Sequence, residues 1–176
     1  MSTIYEEIKP SKVDEIKLRV EDNAQIIDNI VTDIVKPYIK ELDGYIKFIK
    51  DDCLSDKEHP PTIAELEDFC MNLSTYIYFA GGRCEQLGIR DDISRAIWKE
   101  MYNTTRNDLD KGTVDDKNTI AELASQQEQL TNICYSRAYK IMKSKVENAQ
   151  ELLSSCKKVL SSRLSERELT RMDMNR

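Results

Sequence analysis

The strongest functional signal in this sequence is a row of basic side chains near the C-terminus, which is suited to binding phosphate. Arg163, Arg167 and Arg171 recur every four residues, a spacing that aligns three guanidinium groups on one side of a helix. Lys157 and Lys158 stand just before them. A row of cations can neutralise successive phosphates, which gives salt-sensitive binding of nucleic acid without dependence on base sequence.

Two other interpretations of these cations need no nucleic acid. Cations near a helix C-terminus offset the negative end of the helix dipole, so the row can be a solvated surface. It can also dock on an acidic neighbouring copy. Residues 134–176 carry ten Lys and Arg against five Asp and Glu, a net +5, whereas the remainder carries sixteen against twenty-seven, a net −11. The total of −6 argues against polyanion binding by the whole surface.

A glycine pair beside aromatic residues is a second candidate. The segment 76–88, YIYFAGGRCEQLG, lacks the Gly-Lys-Ser/Thr ending of a Walker loop. A dinucleotide fingerprint requires a preceding strand, and here the preceding residues have helical spacing. We therefore expect a hinge between two helices. Tyr76, Tyr78 and Phe79 lie on different helical faces and are predicted to pack mainly inward, although an exposed tyrosine beside Arg83 could stack on a base.

No catalytic or metal-binding signature stands out. The single histidine, His59, precedes two prolines in a loop, and the five cysteines never form a C-x-x-C pair. The paired acids at 51–52, 91–92 and 115–116 sit at predicted helix edges, where they act as caps. We expect no enzyme activity, no cofactor and no metal site. The cysteine usage and the absence of a long apolar run or signal peptide favour a cytoplasmic protein without a membrane segment.

The spacing of apolar residues predicts an all-α fold, a single domain over 1–176 built as an elongated helical bundle. A helical arm over 11–51 should kink near Pro37. A capping box at Thr62 begins a hairpin over 62–110, whose second helix should turn Ile93, Ile97 and Met101 inward. Residues 114–171 contain no glycine or proline and predict one C-terminal helix of about 80 Å. Partners should cover its far end, which favours a homo-oligomer.

This layout resembles phage recombination mediators of the UvsY kind over residues 62–171. The likeness lies in helix layout and residue character, in ISRAIWKEMYNTTRNDLDKG at 93–112 and YSRAYKIMKSKVENAQELLSSCKKVLSSRLSE at 135–166. Such mediators are small, helical, ring-forming proteins that load a recombinase onto single-stranded DNA. The resemblance implies that Arg95, Lys99 and Arg106 contact DNA.

Two functions follow as expectations. The first is a phage-type accessory protein, without enzyme activity, that binds single-stranded nucleic acid and a recombinase or replication protein, in the host cytoplasm if the source is viral. The second is an oligomeric structural or adaptor protein that acts only through contacts between helices. The candidate nucleic-acid-binding residues are Arg95, Lys99, Arg106, Lys157, Lys158, Arg163, Arg167 and Arg171.

Overall fold

A computed structural model of the chain describes residues 10–53 and 60–173, and within them the only regular elements are helices. Helix α1 is Pro10–Phe48 and continues into a π-helical turn, Ile49–Cys53; α2 is Ile63–Asp108, α3 is Val114–Ala124 and α4 is Gln126–Asp173. The predicted all-α bundle with a long C-terminal helix is confirmed. His59 lies outside the described residues.

Helices α2 and α4 run antiparallel and form the body of the bundle. Arg163 of α4 meets Pro61, just before α2, and Asn132 meets Asp91 much further along α2. Their shared face buries large side chains such as Leu73, Leu87 and Met142. Ala138 and Ala149 of α4 are also buried, and small residues of this kind let packed helices approach closely.

Helix α1 packs on this body through its C-terminal half only. Val31, Val35, Leu42 and Ile49 are buried, while residues 12–30 are exposed apart from the half-buried Ile27. The Tyr45 ring lies 5.0 Å from that of Tyr76 on α2, and Asp43 accepts a hydrogen bond of 2.6 Å from Lys145 on α4. The helix continues through Pro37 without a break. The predicted apolar face is therefore exposed in the N-terminal half of α1 and buried in its C-terminal half.

The predicted hairpin over 62–110 is wrong, because α2 is one helix of 46 residues that runs through Gly81 and Gly82. Buried residues continue on one face across the pair, from Ile77 and Ala80 to Cys84. Glycine costs a helix interior about 1 kcal/mol relative to alanine. Burial of this continuous apolar face against α4 outweighs that cost, so the helix does not end.

The single helix predicted over 114–171 is also wrong, because the chain divides at Ser125 into α3 and α4. Ser125 is buried, and both its backbone N–H and its hydroxyl donate to the carbonyl of Ala121, at 3.0 and 2.8 Å. These local bonds satisfy the end of α3 where no glycine or proline marks it. The 48 residues of α4 span about 72 Å.

The inward face of the C-terminal part of α2 also differs from the prediction. Ile93, Ile97 and Met101 are 53%, 50% and 40% exposed. The residues that turn toward α3 and α4 include Asp91 and Ser94, which are both buried. A polar cluster thus occupies the interface and leaves an apolar stripe on the surface.

The capping box predicted at Thr62 is confirmed, and a second one begins α3. The Thr62 hydroxyl accepts from the Glu65 N–H at 3.3 Å, while the Glu65 carboxylate accepts from the Thr62 N–H at 2.7 Å. Thr113 and Asp116 repeat the arrangement. Hydrogen bonds from the threonines lower the pKa of both carboxyl groups, since those bonds favour the charged form.

We expect both helix starts to loosen in acid. A lowered folded pKa means that the contribution to stability is complete above the ordinary values, 4.5 for Glu65 and 3.8 for Asp116, and is lost as pH falls through the folded values. An NMR titration of the Thr62 and Thr113 amides should follow this loss. Glu65→Gln should remove the titration at Thr62 and leave that at Thr113 unchanged; a Thr62 titration that persists in this variant would contradict the assignment.

Candidate nucleic-acid interface

The predicted nucleic-acid-binding cations form two groups, one toward each end of the α2/α4 pair. Arg163 lies beside Pro61, at the start of α2. Arg95 lies 32 residues along α2 from Ile63, which corresponds to about 48 Å. The structure therefore does not bring the eight residues onto one surface.

The C-terminal group lies on the last turns of α4. Lys157, Lys158, Arg167 and Arg171 are exposed, whereas Arg163 is half-buried and its guanidinium donates to the carbonyl of Pro61. The three arginines share their helix face with Cys156 and Leu160, seven residues before Arg163 and Arg167. The row is thus an extension of the face by which α4 packs on the body, and its first arginine joins that packing.

The second group begins with Arg95, which is held by a buried carboxylate. The Arg95 guanidinium donates to Asp91 at 2.9 Å, and the Asp91 side chain is 8% exposed. The amide of Asn132 donates to the same carboxylate at 3.2 Å and to the Ser94 hydroxyl at 3.1 Å. Arg95 is 46% exposed and remains accessible along one edge. Its charge is partly committed to the contact between α2 and α4.

An open cleft where α2, α3 and α4 meet places Lys99 beside two aromatic rings. The cleft, of about 440 Å³, is lined by Trp98, Lys99, Tyr102, Asn103, Glu122, Ser125 and Gln129. Trp98 and Tyr102 are half-buried. The Tyr102 hydroxyl donates to the side-chain oxygen of Asn118 at 3.3 Å, which orients that ring. The arrangement combines flat apolar surfaces with one cation, as sites for unpaired bases do.

The three cations of this group lie along one side of α2. Lys99 and Arg106 follow Arg95 by four and eleven residues, so all three fall within about 40° on the helix. Lys99 and Arg106 are exposed. Sequence reasoning missed Trp98 and Tyr102. Their spacing of four residues around Lys99 was the signal that could have found them.

The segment 76–88 is not a hinge, and two of its three aromatic residues face solvent. Tyr76 packs on Tyr45, but Tyr78 and Phe79 are 78% and 57% exposed, with their rings edge to face at 5.6 Å. The prediction that these aromatics pack mainly inward is therefore wrong for Tyr78 and Phe79. The cause is that α1 covers only the side of α2 that carries Tyr76.

Arg83, beside these rings, is engaged within the chain. Its guanidinium donates to the Tyr38 carbonyl at 3.2 Å and lies 3.3 Å from the Glu41 carboxylate. These contacts fix α1 against α2. They direct the cation toward α1, so Arg83 contributes to packing of the bundle.

Potential metal ligands do not gather among the residues described, where no group of three or more His, Cys, Asp or Glu side chains could hold an ion. Cys70, Cys84, Cys134 and Cys156 are buried free thiols. Burial raises the pKa of the Cys84, Cys134 and Cys156 thiols, which disfavours the reactive thiolate.

Across 10–53 and 60–173, no helix combines the length and apolar character needed to cross a membrane.

Comparison with protein-family models, with curated proteins and with solved structures finds no match to this chain.

Proposed function

We propose that this chain is a non-enzymatic accessory protein that binds single-stranded nucleic acid and a recombinase or replication protein in the cytoplasm. The observation that carries the proposal is the cleft in which Lys99 lies beside Trp98 and Tyr102. The resemblance to phage recombination mediators supplies the class of protein partner and the host cytoplasm as the location.

The cleft suits an unpaired base better than a duplex. Every base presents a flat face that can stack on Trp98 or Tyr102, whatever its identity. A duplex keeps those faces covered by its neighbouring base pairs. Arg95, Lys99 and Arg106, which lie on one side of α2, can neutralise phosphates of the strand that carries the stacked base. We expect binding that weakens steeply with salt because these cations release counterions from the strand, although Glu122, which lines the same cleft, repels the backbone and lowers the affinity at low salt.

A direct test uses Trp98, because it is the only tryptophan in the chain. A single-stranded oligonucleotide should quench its fluorescence, and the apparent affinity should fall with rising salt, with a logarithmic slope of about −0.7 for each phosphate contacted. Lys99→Ala should weaken binding about fivefold or more, because it removes the cation at the stacking site. An unlabelled duplex should compete poorly.

The matched control is Lys47→Ala, which removes an exposed lysine of α1. It should change the affinity less than twofold, because Lys47 does not line the cleft. Equal losses in the two variants would contradict the site, and no quenching or binding at low salt would overturn the proposed function. Arg167→Ala with Arg171→Ala tests the C-terminal group, where lost affinity without a change in quenching would assign those residues to the strand beyond the cleft.

A second function is favoured by the apolar side chains that the bundle leaves exposed. Ile16, Val20 and Ile26 on α1 and Ile93 on α2 are each more than half exposed. Such surfaces support an oligomeric structural or adaptor protein that acts through contacts between helices. Assembly that depends on concentration, in a protein that binds no oligonucleotide, would favour this alternative.

A further inference from the structure

The N-terminal half of α1 carries an apolar row that the rest of the described chain covers only toward its C-terminal end, where Ile27 and Ile34 pack on the core. We define the α1 seam as the seven residues Val13, Ile16, Val20, Asn23, Ile27, Ile30 and Ile34. Their separations alternate strictly between three and four, which is the a/d pattern of a heptad repeat. Ile16, Val20 and Ile30 are 60%, 61% and 44% exposed. Burial on the body begins in earnest only at Val31.

The seam is more specific than scattered exposed residues would be. Six of its seven members are β-branched and apolar, and all four a positions are Val or Ile. Leu18 and Ile26 are equally exposed but lie off the seam. A repeat of three and four keeps one stripe against a second helix of the same period over several turns. The surface is therefore matched to another helix with this repeat, and the chain carries such a helix in α1 itself.

Charges flanking the seam indicate how two copies would meet. Lys12 and Lys17 occupy the g and e positions that face each other in a parallel pair, so a parallel pair opposes like charges. In an antiparallel pair, g positions face g positions. When Val13 lies opposite Ile30 of the second copy, Lys12 at one g position therefore lies opposite Asp33 at a g position of the second copy. Both Lys12 and Asp33 are exposed in the single chain. The flanking charges therefore favour the antiparallel orientation.

We propose that a second copy of this chain covers the α1 seam, through an antiparallel two-stranded coiled coil of residues 13–30. This segment spans about 26 Å, and the antiparallel orientation places the two α2/α4 bodies at opposite ends of it. Asn23 is the one polar residue of the seam, and a single polar core residue specifies register at a cost in stability. The pairing needs no nucleic acid, so it stands apart from the proposed binding function.

The test measures association of the full chain by sedimentation equilibrium without nucleic acid. Wild-type protein should form dimers at micromolar concentrations. Val20→Glu should raise the dimer dissociation constant about tenfold or more, because it places a charge in the seam. Leu18→Glu, which adds the same charge at an equally exposed site off the seam, should change it less than twofold. Asn23→Ile should tighten association, because it replaces the one polar core residue with an apolar one.

The orientation is tested by reversing charges. Asp33→Lys should weaken the dimer, and Lys12→Asp combined with Asp33→Lys should restore it, because the pair is reversed together. An unchanged dimer in Asp33→Lys would overturn the antiparallel arrangement. A strict monomer at high concentration would overturn the whole proposal. A dimer that survives Val20→Glu but dissociates on Ile93→Glu would also overturn it, because the exposed stripe of α2 would then form the contact.

These outcomes are distinguishable from failure of the nucleic-acid proposal. Fluorescence quenching of Trp98 reports the cleft on α2, while sedimentation reports the seam on α1. A variant with a broken seam that still binds oligonucleotide would separate the two properties. Circular dichroism of Val20→Glu and Leu18→Glu should show equal unfolding midpoints for the α2/α4 body, because residues 12–26 are exposed and do not pack on it.

Discussion

Replacing Asp91 with alanine is expected to lower the free energy of unfolding by about 2–3 kcal/mol. Asp91 is 5% exposed, and its carboxylate accepts from Arg95 at 2.9 Å and from Asn132 at 3.2 Å. Bonds to a charged group are worth about 1.5–3 kcal/mol each when buried, and less here for Arg95 because that side chain is half exposed. Alanine also leaves the Asn132 amide without an acceptor on the carboxylate.

Asp92→Ala is the matched control for this prediction. Asp92 is the next residue, has the same side chain and is exposed. Its replacement should change stability by about 0.5 kcal/mol or less, as surface substitutions usually do. Urea unfolding followed by circular dichroism measures both variants. Equal losses would contradict the assignment of Asp91 as the residue that joins α2 to α4.

Arg95→Ala separates stability from nucleic-acid binding. Arg95 is a candidate DNA contact by resemblance, yet in the structure it also neutralises Asp91. Its loss should reduce stability, and any reduced affinity for oligonucleotide has to be compared with Lys99→Ala, which removes a cation without touching Asp91. A binding defect in Lys99→Ala alone would assign Arg95 to the stability of the bundle and not to nucleic-acid binding.

The elements of the fold were predictable where local and tertiary signals agree. Thr62 and Glu65 predict the start of α2, because a capping box satisfies two backbone N–H groups by short-range hydrogen bonds. The apolar spacing of α1 predicted a helix, and α1 is one. That spacing could not tell which part is buried, because exposure of residues 12–30 depends on where the α2/α4 body ends.

The predictions were wrong where tertiary packing determines the end of a helix or the face that it buries. The end of α3 at Ser125 has no glycine or proline, and the buried hydroxyl that closes it is an ordinary residue in the sequence. In the C-terminal part of α2, the more apolar stripe with Ile93 and Ile97 was expected inside. The less apolar stripe with Asp91 and Ser94 is buried instead, because Asn132 of α4 satisfies its polar groups.

The candidate site was only partly accessible from sequence. The resemblance predicted Lys99 as a nucleic-acid contact. The cleft that it shares with Trp98 and Tyr102 could not be predicted, because residues of α3 and of the start of α4 also line that cleft. The C-terminal row was predicted from spacing alone. In the structure these arginines have different surroundings. Arg163 contacts Pro61, whereas Arg167 and Arg171 lie beyond that contact and are exposed.

The double replacement Gly81→Ala and Gly82→Ala is expected to stabilise the protein by about 2 kcal/mol. Apart from the adjacent residues and backbone of α2 itself, a methyl group at either position meets no atom within 4 Å, and both residues are helical in the interior of α2. Each alanine should contribute about 0.8–1.0 kcal/mol, because alanine loses less conformational freedom than glycine on entering a helix. At roughly 2–4 °C per kcal/mol for a chain of this size, the midpoint of thermal unfolding should rise by about 4–8 °C.

Gly88→Ala is the control from the same helix, and it should stabilise the protein less than alanine at 81 or 82 does. A methyl group there would lie 3.2 Å from the Tyr139 ring of α4, so that ring must shift by a few tenths of an ångström. Thermal unfolding of the double variant and of Gly88→Ala distinguishes a continuous helix from a hinge. If the pair at 81–82 were a hinge with positive backbone angles, alanine there would strain the chain and lower the midpoint, and a fall in the double variant would contradict the continuous α2. A rise for the double variant together with a smaller change for Gly88→Ala would follow from the close approach of the Tyr139 ring to α2 at Gly88.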